Sequence, residues 1–202
     1  MTAIKLCGLT RACDIDTVNE LLPDYIGFVF WDRSKRNISR EQAKVLKEAL
    51  NPSIQAVGVF VDPDIDFVAG LLKDGIIDAA QLHGKEDEDY ISRLRSLAPG
   101  KLVIKAYKVR TPEDVTRANA SIADYVLLDS GTGSGVAFDW SLIREISRPY
   151  FLAGGLGVDN VAQAVEDLQP FAVDVSSGIE TDGVKDPEKM RRFVEQVRRV
   201  LK

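Results

Sequence analysis

The feature that most limits this chain is a repeat. Eight short apolar runs alternate with eight amphipathic stretches. The runs lie at 3–7, 25–30, 54–60, 79–83, 102–107, 125–129, 150–153 and 171–176. Most are nearly continuous in Val, Ile, Leu and aromatic residues, which suits strands covered on both faces, as in a parallel sheet. The stretches at 15–22, 40–50, 65–73, 87–97, 112–118, 140–146, 158–168 and 187–201 read as helices. Ser39, Thr111 and Asp186 supply start signals, the last two followed by Pro112 and Pro187. The 202 residues give about 25 per unit, at the short end for a (β/α)8 barrel. An open doubly wound sheet is the rival. No linker or change of composition divides the chain. The expectation is therefore an α/β fold over residues 1–202: a single (β/α)8 TIM barrel domain with eight parallel strands.

Composition narrows the function. With 45% hydrophobic and 28% charged residues, the chain can bury a core, which excludes disorder as its main state. A net charge of −5 argues against a general nucleic-acid binder. No apolar run approaches the roughly 20 residues of a membrane span, and the first ten residues lack the apolar segment of a signal peptide. No nucleic-acid or membrane partner is expected, and a cytoplasmic location is. Cys7 and Cys13 cannot build a disulfide framework, and the chain holds one histidine, His83. No His/Cys metal site is therefore expected. Cys13, near a helix start, is read as structural.

In a barrel the reactive side chains stand at the C-terminal ends of the strands. Cys7 ends the first run and Asp129 the sixth. A thiolate can take a proton and a carboxyl can give one, which suits proton shuffling between adjacent carbons of a sugar. Alternatively, Cys7 is a small buried hydrophobe, and Asp129 a loop cap or the partner of Lys5 or Lys105. Lys105 reads as an ion partner inside the barrel rather than a Schiff-base lysine. Arg36 follows the second run in Asp32-Arg33-Ser34-Lys35-Arg36. It belongs either to a solvated basic loop, the reading its neighbours favour, or to a carboxylate clamp. His83 shares side-chain parity with Gln81, so both can face inward. Gly154 and Gly155 follow the seventh run, and Ser177 and Gly178 the eighth. Glycines there let backbone amides approach a phosphate, and a helix N-terminus adds positive charge. Gly131-Thr132-Gly133-Ser134-Gly135 reads as a lid or a plain linker.

Several motifs carry a resemblance. They are Lys5-Leu6-Cys7-Gly8-Leu9-Thr10, Gly27-Phe28-Val29-Phe30 with Ser34-Lys35-Arg36, and Val57-Gly58-Val59-Phe60. Gln81-Leu82-His83-Gly84, Phe138-Asp139-Trp140 and Leu152-Ala153-Gly154-Gly155-Leu156 follow. The set closes with Asp174-Val175-Ser176-Ser177-Gly178-Ile179-Glu180 and Gly183-Val184-Lys185-Asp186. In this order they resemble the phosphoribosylanthranilate isomerases of tryptophan biosynthesis. The resemblance implies a cofactor-free barrel that rearranges a small phosphorylated aminoaldose to a ketose. It implies Asp129 as general acid, Cys7 as general base and Arg36 as the anthranilate carboxylate clamp. It puts His83 near the substrate, and Gly154, Gly155, Ser177 and Gly178 on the phosphate. One departure is a shorter glycine loop before Phe138. The histidine-pathway isomerases perform the same rearrangement but use two carboxylates, whereas Cys7 stands at the base position here. A catalytically silent phosphosugar-binding barrel is the rival from another class.

Overall fold

The computed structural model describes residues 2–129 and 140–200. Its strands are β1 (Ala3–Cys7), β2 (Tyr25–Phe30), β3 (Gln55–Phe60), β4 (Ala79–Leu82), β5 (Leu102–Lys108), β6 (Tyr125–Asp129), β7 (Tyr150–Ala153) and β8 (Ala172–Val175). Each pairs in parallel with the next, and β8 pairs with β1, so the sheet closes. The helices are α1 (Ala12–Leu21), α2 (Arg40–Glu48), α3 (Ile65–Lys73), α4 (Glu88–Leu97), α5 (Pro112–Ala120), α6 (Val161–Leu168) and α7 (Pro187–Val200). The expected start signals are in place. The Ser39 hydroxyl accepts from the Gln42 amide while the Gln42 side chain accepts from the Ser39 amide. Asp186 accepts from the amides of Glu188 and Lys189.

Alternation along each strand sorts side chains into two cores. Ile4 and Leu6 of β1, Ile26 and Phe28 of β2, and Val126 and Leu128 of β6 face the helices. Val57, Ala79, Ile104, Ala106, Leu127, Phe151, Ala153 and Ala172 fill the interior. At the lower end, Tyr125 stacks on Phe171 at 4.5 Å, and Tyr25 meets Phe151 edge-on at 5.5 Å. This aromatic floor closes the bottom of the barrel. Higher up, Lys5 of β1 is fully buried and bonds Asp174 of β8 at 2.9 Å, its register partner on the neighbouring strand.

The lower rim carries a repeated clamp. Asp24, Asp78 and Asp124 each stand one residue before an even-numbered strand. Each carboxylate accepts from an amide of the preceding odd strand: Ile4, Ala56 and Val103, all at 2.8 Å. These bonds tie β1 to β2, β3 to β4 and β5 to β6 at the N-terminal ends of the strands.

Four expectations need correction. The stretch at 140–146 is not an α-helix but a 3-10 turn, Trp140–Glu145, in which the Ile146 amide bonds the Ile143 carbonyl. Lys105 alternates with Ile104 and Ala106, so it faces away from the interior and pairs with Glu86 at 2.8 Å. Asp129 takes neither lysine as partner: Lys5 is held by Asp174 and Lys105 by Glu86. Cys13 is exposed, so it packs no core. The lid or linker reading of 131–135 falls outside the described residues.

The Lys5–Asp174 pair gives a stability prediction. Asp174→Asn leaves a buried ammonium without its counter-charge, a change that costs roughly 3–5 kcal/mol. Urea unfolding should show a lower midpoint at unchanged slope. An unchanged midpoint would mean that the pair does not hold β1 to β8.

Candidate active site

Cys7 and Asp129 are the last residues of β1 and β6. Those strands are three apart, counted through β8 and β7, so the two side chains rise on different sides of one mouth. Cys7 stands beside Gly27, its register partner on β2. A Cβ at Gly27 would collide with the Cys7 sulfur and approach its Cα to 3.0 Å. The missing side chain is what gives the thiol its place.

Charge surrounds that thiol. Burial pushes Cys7 up, Lys5 and Lys185 pull it down, Asp174 pushes it up again, and the net result is raised. In the ligand-free chain Cys7 therefore rests as a thiol at neutral pH. Lys185 reaches the site from a small hairpin, β9 (Glu180–Thr181) and β10 (Val184–Lys185), that follows β8. Asp182 and Gly183, both at positive φ, form its two-residue turn. Register sets Lys185 opposite Glu180. Lys185 Nζ donates to the Ser176 carbonyl at 2.8 Å and to Glu180 Oε1 at 2.7 Å. Burial lowers this ammonium in spite of Glu180.

Glu180 also holds Arg36. Arg36 Nε donates to Oε1 at 2.5 Å and Nη2 to Oε2 at 2.8 Å, which occupies the side edge of the guanidinium. The end edge, with both hydrogens of Nη1 and one of Nη2, takes no partner among the described residues, a geometry that suits a second carboxylate. Gly8, at φ +81°, lets the arginine pass, since a Cβ there would lie 2.5 Å from Arg36 Cδ. Burial pushes the Glu180 carboxyl up, but hydrogen bonds from Arg36 and Lys185, with their charges, hold it down at about 2.

On the other side of the mouth, His83 follows β4 and brings Nε2 to 3.5 Å from Asp129 Oδ2. Its Nδ1 lies 3.1 Å from the Gln81 side-chain nitrogen. Between the two sides lie the glycine loops. Gly154 and Gly155 have φ of +86° and +69°. A Cβ at Gly178 would collide with the Leu156 carbonyl and lie 2.9 Å from Gly157 Cα, so the loops after β7 and β8 touch there. The amides of Gly155, Ser177 and Gly178 take no partner among the described residues. Adjacent unpaired amides of this kind can cradle an anion. Among the described residues, no group of three His, Cys, Asp or Glu side chains could hold a metal ion.

Comparison with known proteins decides the family. Residues 4–196 match the family model described as N-(5'phosphoribosyl)anthranilate (PRA) isomerase. The chain belongs to that family. An isomerase of the same name from Endomicrobium trichonymphae is 46% identical, over 98% of this chain and 99% of its own. Another, from Clostridium kluyveri, is 43% identical over 99% of this chain and all of its own. The crystal structure of the Thermotoga maritima phosphoribosyl anthranilate isomerase superposes with a TM-score of 0.87 at 37% identity, covering 98% of this chain and 99% of that one. A further isomerase structure holds reduced 1-(o-carboxyphenylamino)-1-deoxyribulose 5-phosphate; it is 36% identical with a TM-score of 0.85, at the same coverage.

In this member of the isomerase family, every site residue singled out from sequence lies at or just beyond the C-terminal end of a strand. Sequence reasoning missed Glu180 and Lys185 as parts of the charge cluster. The available signal was the Asp182-Gly183 pair, a hairpin turn dipeptide.

Glu180 yields an acid-stability prediction. Its carboxyl is lower in the folded chain than its ordinary 4.5, so its stabilisation is full above pH 4.5 and is lost as pH falls towards about 2. In Glu180→Gln the urea midpoint should be lower at neutral pH and should fall less steeply across that acid window. Equal slopes in both proteins would mean that Arg36 and Lys185 do not hold this charge.

Proposed function

We propose that this chain converts N-(5-phosphoribosyl)anthranilate to 1-(2-carboxyphenylamino)-1-deoxyribulose 5-phosphate, the Amadori step of tryptophan biosynthesis. The observation that carries the reading is the full-length family match, in which a solved relative holds the reduced product. In the proposed reaction the Asp129 carboxyl protonates the furanose ring oxygen. The C1–O bond breaks as the nitrogen lone pair forms C1=N, giving an open-chain iminium ion. That cation acidifies the C2 proton, and the Cys7 thiolate removes it. The C2–H electrons form C1=C2 and neutralise the nitrogen. The enolamine then gains a proton at C1 and loses its hydroxyl proton, which leaves the C2 ketone. As written, the sequence needs neither metal nor cofactor.

The surroundings support these roles. Two proton-transfer groups stand on different sides of one mouth, as an acid at the ring oxygen and a base at C2 require. The end edge of Arg36 suits the anthranilate carboxylate. The amides of Gly154, Gly155, Ser177 and Gly178 suit the phosphate, so the partner is a small phosphorylated molecule. The proposal includes a cytoplasmic location, supported by the net charge of −5 and two free cysteines. Among the described residues, no helix is long and apolar enough to cross a membrane.

The deciding assay follows the fluorescence of freshly generated N-(5-phosphoribosyl)anthranilate in the presence of EDTA. Loss proportional to enzyme, ending in the rearranged ketose, is the expected result. Folded protein without turnover would remove the activity. Cys7→Ala should lower kcat by roughly a hundredfold to ten-thousandfold while reduced product still binds. Normal turnover in that variant would end the base assignment. The pH profile carries a second expectation. A base must be deprotonated while the acid Asp129 is protonated, so kcat/KM should be bell-shaped, and because burial raises Cys7 the alkaline limb should lie beyond the ordinary thiol pKa. An alkaline limb well below that point would contradict the thiolate.

Gly178→Ala tests the phosphate cradle. A Cβ forces the two loops apart, so KM should rise by roughly tenfold or more with a smaller change in kcat. Titration of reduced product should show the same loss of affinity.

A further inference from the structure

Gln81 occupies an inward position of β4, in parity with Ala79 of the interior core, and is 1% exposed. Its side-chain nitrogen lies 3.1 Å from His83 Nδ1. Its Oε1 is buried with no hydrogen-bond partner among the described residues. An amide nitrogen has hydrogens to give and nothing to accept with, so Nδ1 must be the acceptor. The neutral ring then carries its proton on Nε2, the atom 3.5 Å from Asp129 Oδ2. The opposite amide orientation is worse on two counts. It would strand the two amide hydrogens in the barrel interior in place of one carbonyl oxygen. It would also put a proton on Nδ1 and turn the bare Nε2 lone pair towards the carboxylate.

We propose that Gln81 is a positioning residue for the acid: its amide fixes His83 as the Nε2–H tautomer, which turns that N–H towards Asp129 Oδ2. The role given to Asp129 rests on the isomerase reading above. The backbone beneath the ring is equally constrained. The His83 amide donates to the Phe60 carbonyl at 2.8 Å. The next amide, of Gly84, donates to Glu86 at 2.9 Å, and the Gly84 carbonyl accepts from Lys105 at 2.8 Å. With the main chain fixed on both sides, the choice of tautomer falls to the groups at the two ring nitrogens, Gln81 at Nδ1 and Asp129 at Nε2. The cost is one orphaned carbonyl oxygen, retained at a position where Leu or Met would fill the same space.

Because His83 is the one histidine in the sequence, its imidazole nitrogens can be read directly in untagged, 15N-labelled protein. Two-bond proton–nitrogen correlation at neutral pH should show a protonated Nε2 and a bare Nδ1. Gln81→Met keeps the volume and removes the donor. Its spectrum should move towards a mixture of tautomers, and kcat should fall about fivefold, the scale of one hydrogen bond, with KM changed less than about twofold. Gln81→Glu presents only acceptors and should pull the proton to Nδ1. A wild-type spectrum with the proton on Nδ1 would overturn the proposal, as would a folded Gln81→Met variant with unchanged spectrum and kcat. The wild-type spectrum is decisive even if a variant fails to fold. It is recorded without substrate, so failure of the activity shows in the turnover assay and failure of this proposal shows in the spectrum.

Discussion

Closure of the eight-stranded sheet is the constraint on which the rest depends. Once β8 bonds β1, every inward side chain shares one narrow interior, and its contents must change with height. The aromatic floor of Tyr25, Tyr125, Phe151 and Phe171 excludes water at the bottom. The Lys5–Asp174 pair sits above the apolar layer, where a lone charge would be untenable and a paired one is tolerated. Cys7 follows two residues above Lys5 on the same face of β1, at the top of this gradient. The thiol is thus buried among charges rather than among hydrocarbons.

This arrangement explains a tension in the site. Positive charge near Cys7 favours a thiolate, yet burial wins and keeps the resting group protonated. Lys5 is committed to Asp174 and Lys185 to Glu180 and Ser176, so neither ammonium is spent wholly on the sulfur. Glu180 gathers Lys35, Arg36 and Lys185 around one carboxylate. The cluster keeps a positive excess at the mouth although the chain as a whole is acidic, a local field suited to a substrate with a carboxylate and a phosphate.

The architecture was legible because its signal is repeated eight times: apolar runs of strand length, spaced evenly, leave few alternatives to a barrel. The strand-end positions of Cys7, His83 and Asp129 followed from those runs. Where the signal was single, it failed. The 3-10 turn Trp140–Glu145 carries helix-like spacing but is too short to propagate one. Lys105 was assigned to the wrong face because an apolar run hides its own alternation; only the partner, Glu86, reveals which way the side chain turns. Glu180 was quoted in a motif but not understood, since its meaning lies in the arginine it bonds from 144 residues away. The clamp of Asp24, Asp78 and Asp124 was in plain view as an acid before alternate strands. Its function appears only when the neighbouring strand's amide is seen beside it.

The Lys5–Asp174 pair also has a meaning in time. Its members are 169 residues apart. At ribosomal speed, the order of 10–30 s separates the synthesis of the lysine from that of its carboxylate. Throughout that interval β1 has no strand on its β8 side, and Lys5 has no counter-ion within the barrel. The Arg36–Glu180 bond, across 144 residues, waits almost as long. The nascent chain therefore carries its thiol, its arginine and its histidine in an open sheet, and the charged mouth comes into being only when the last strand arrives.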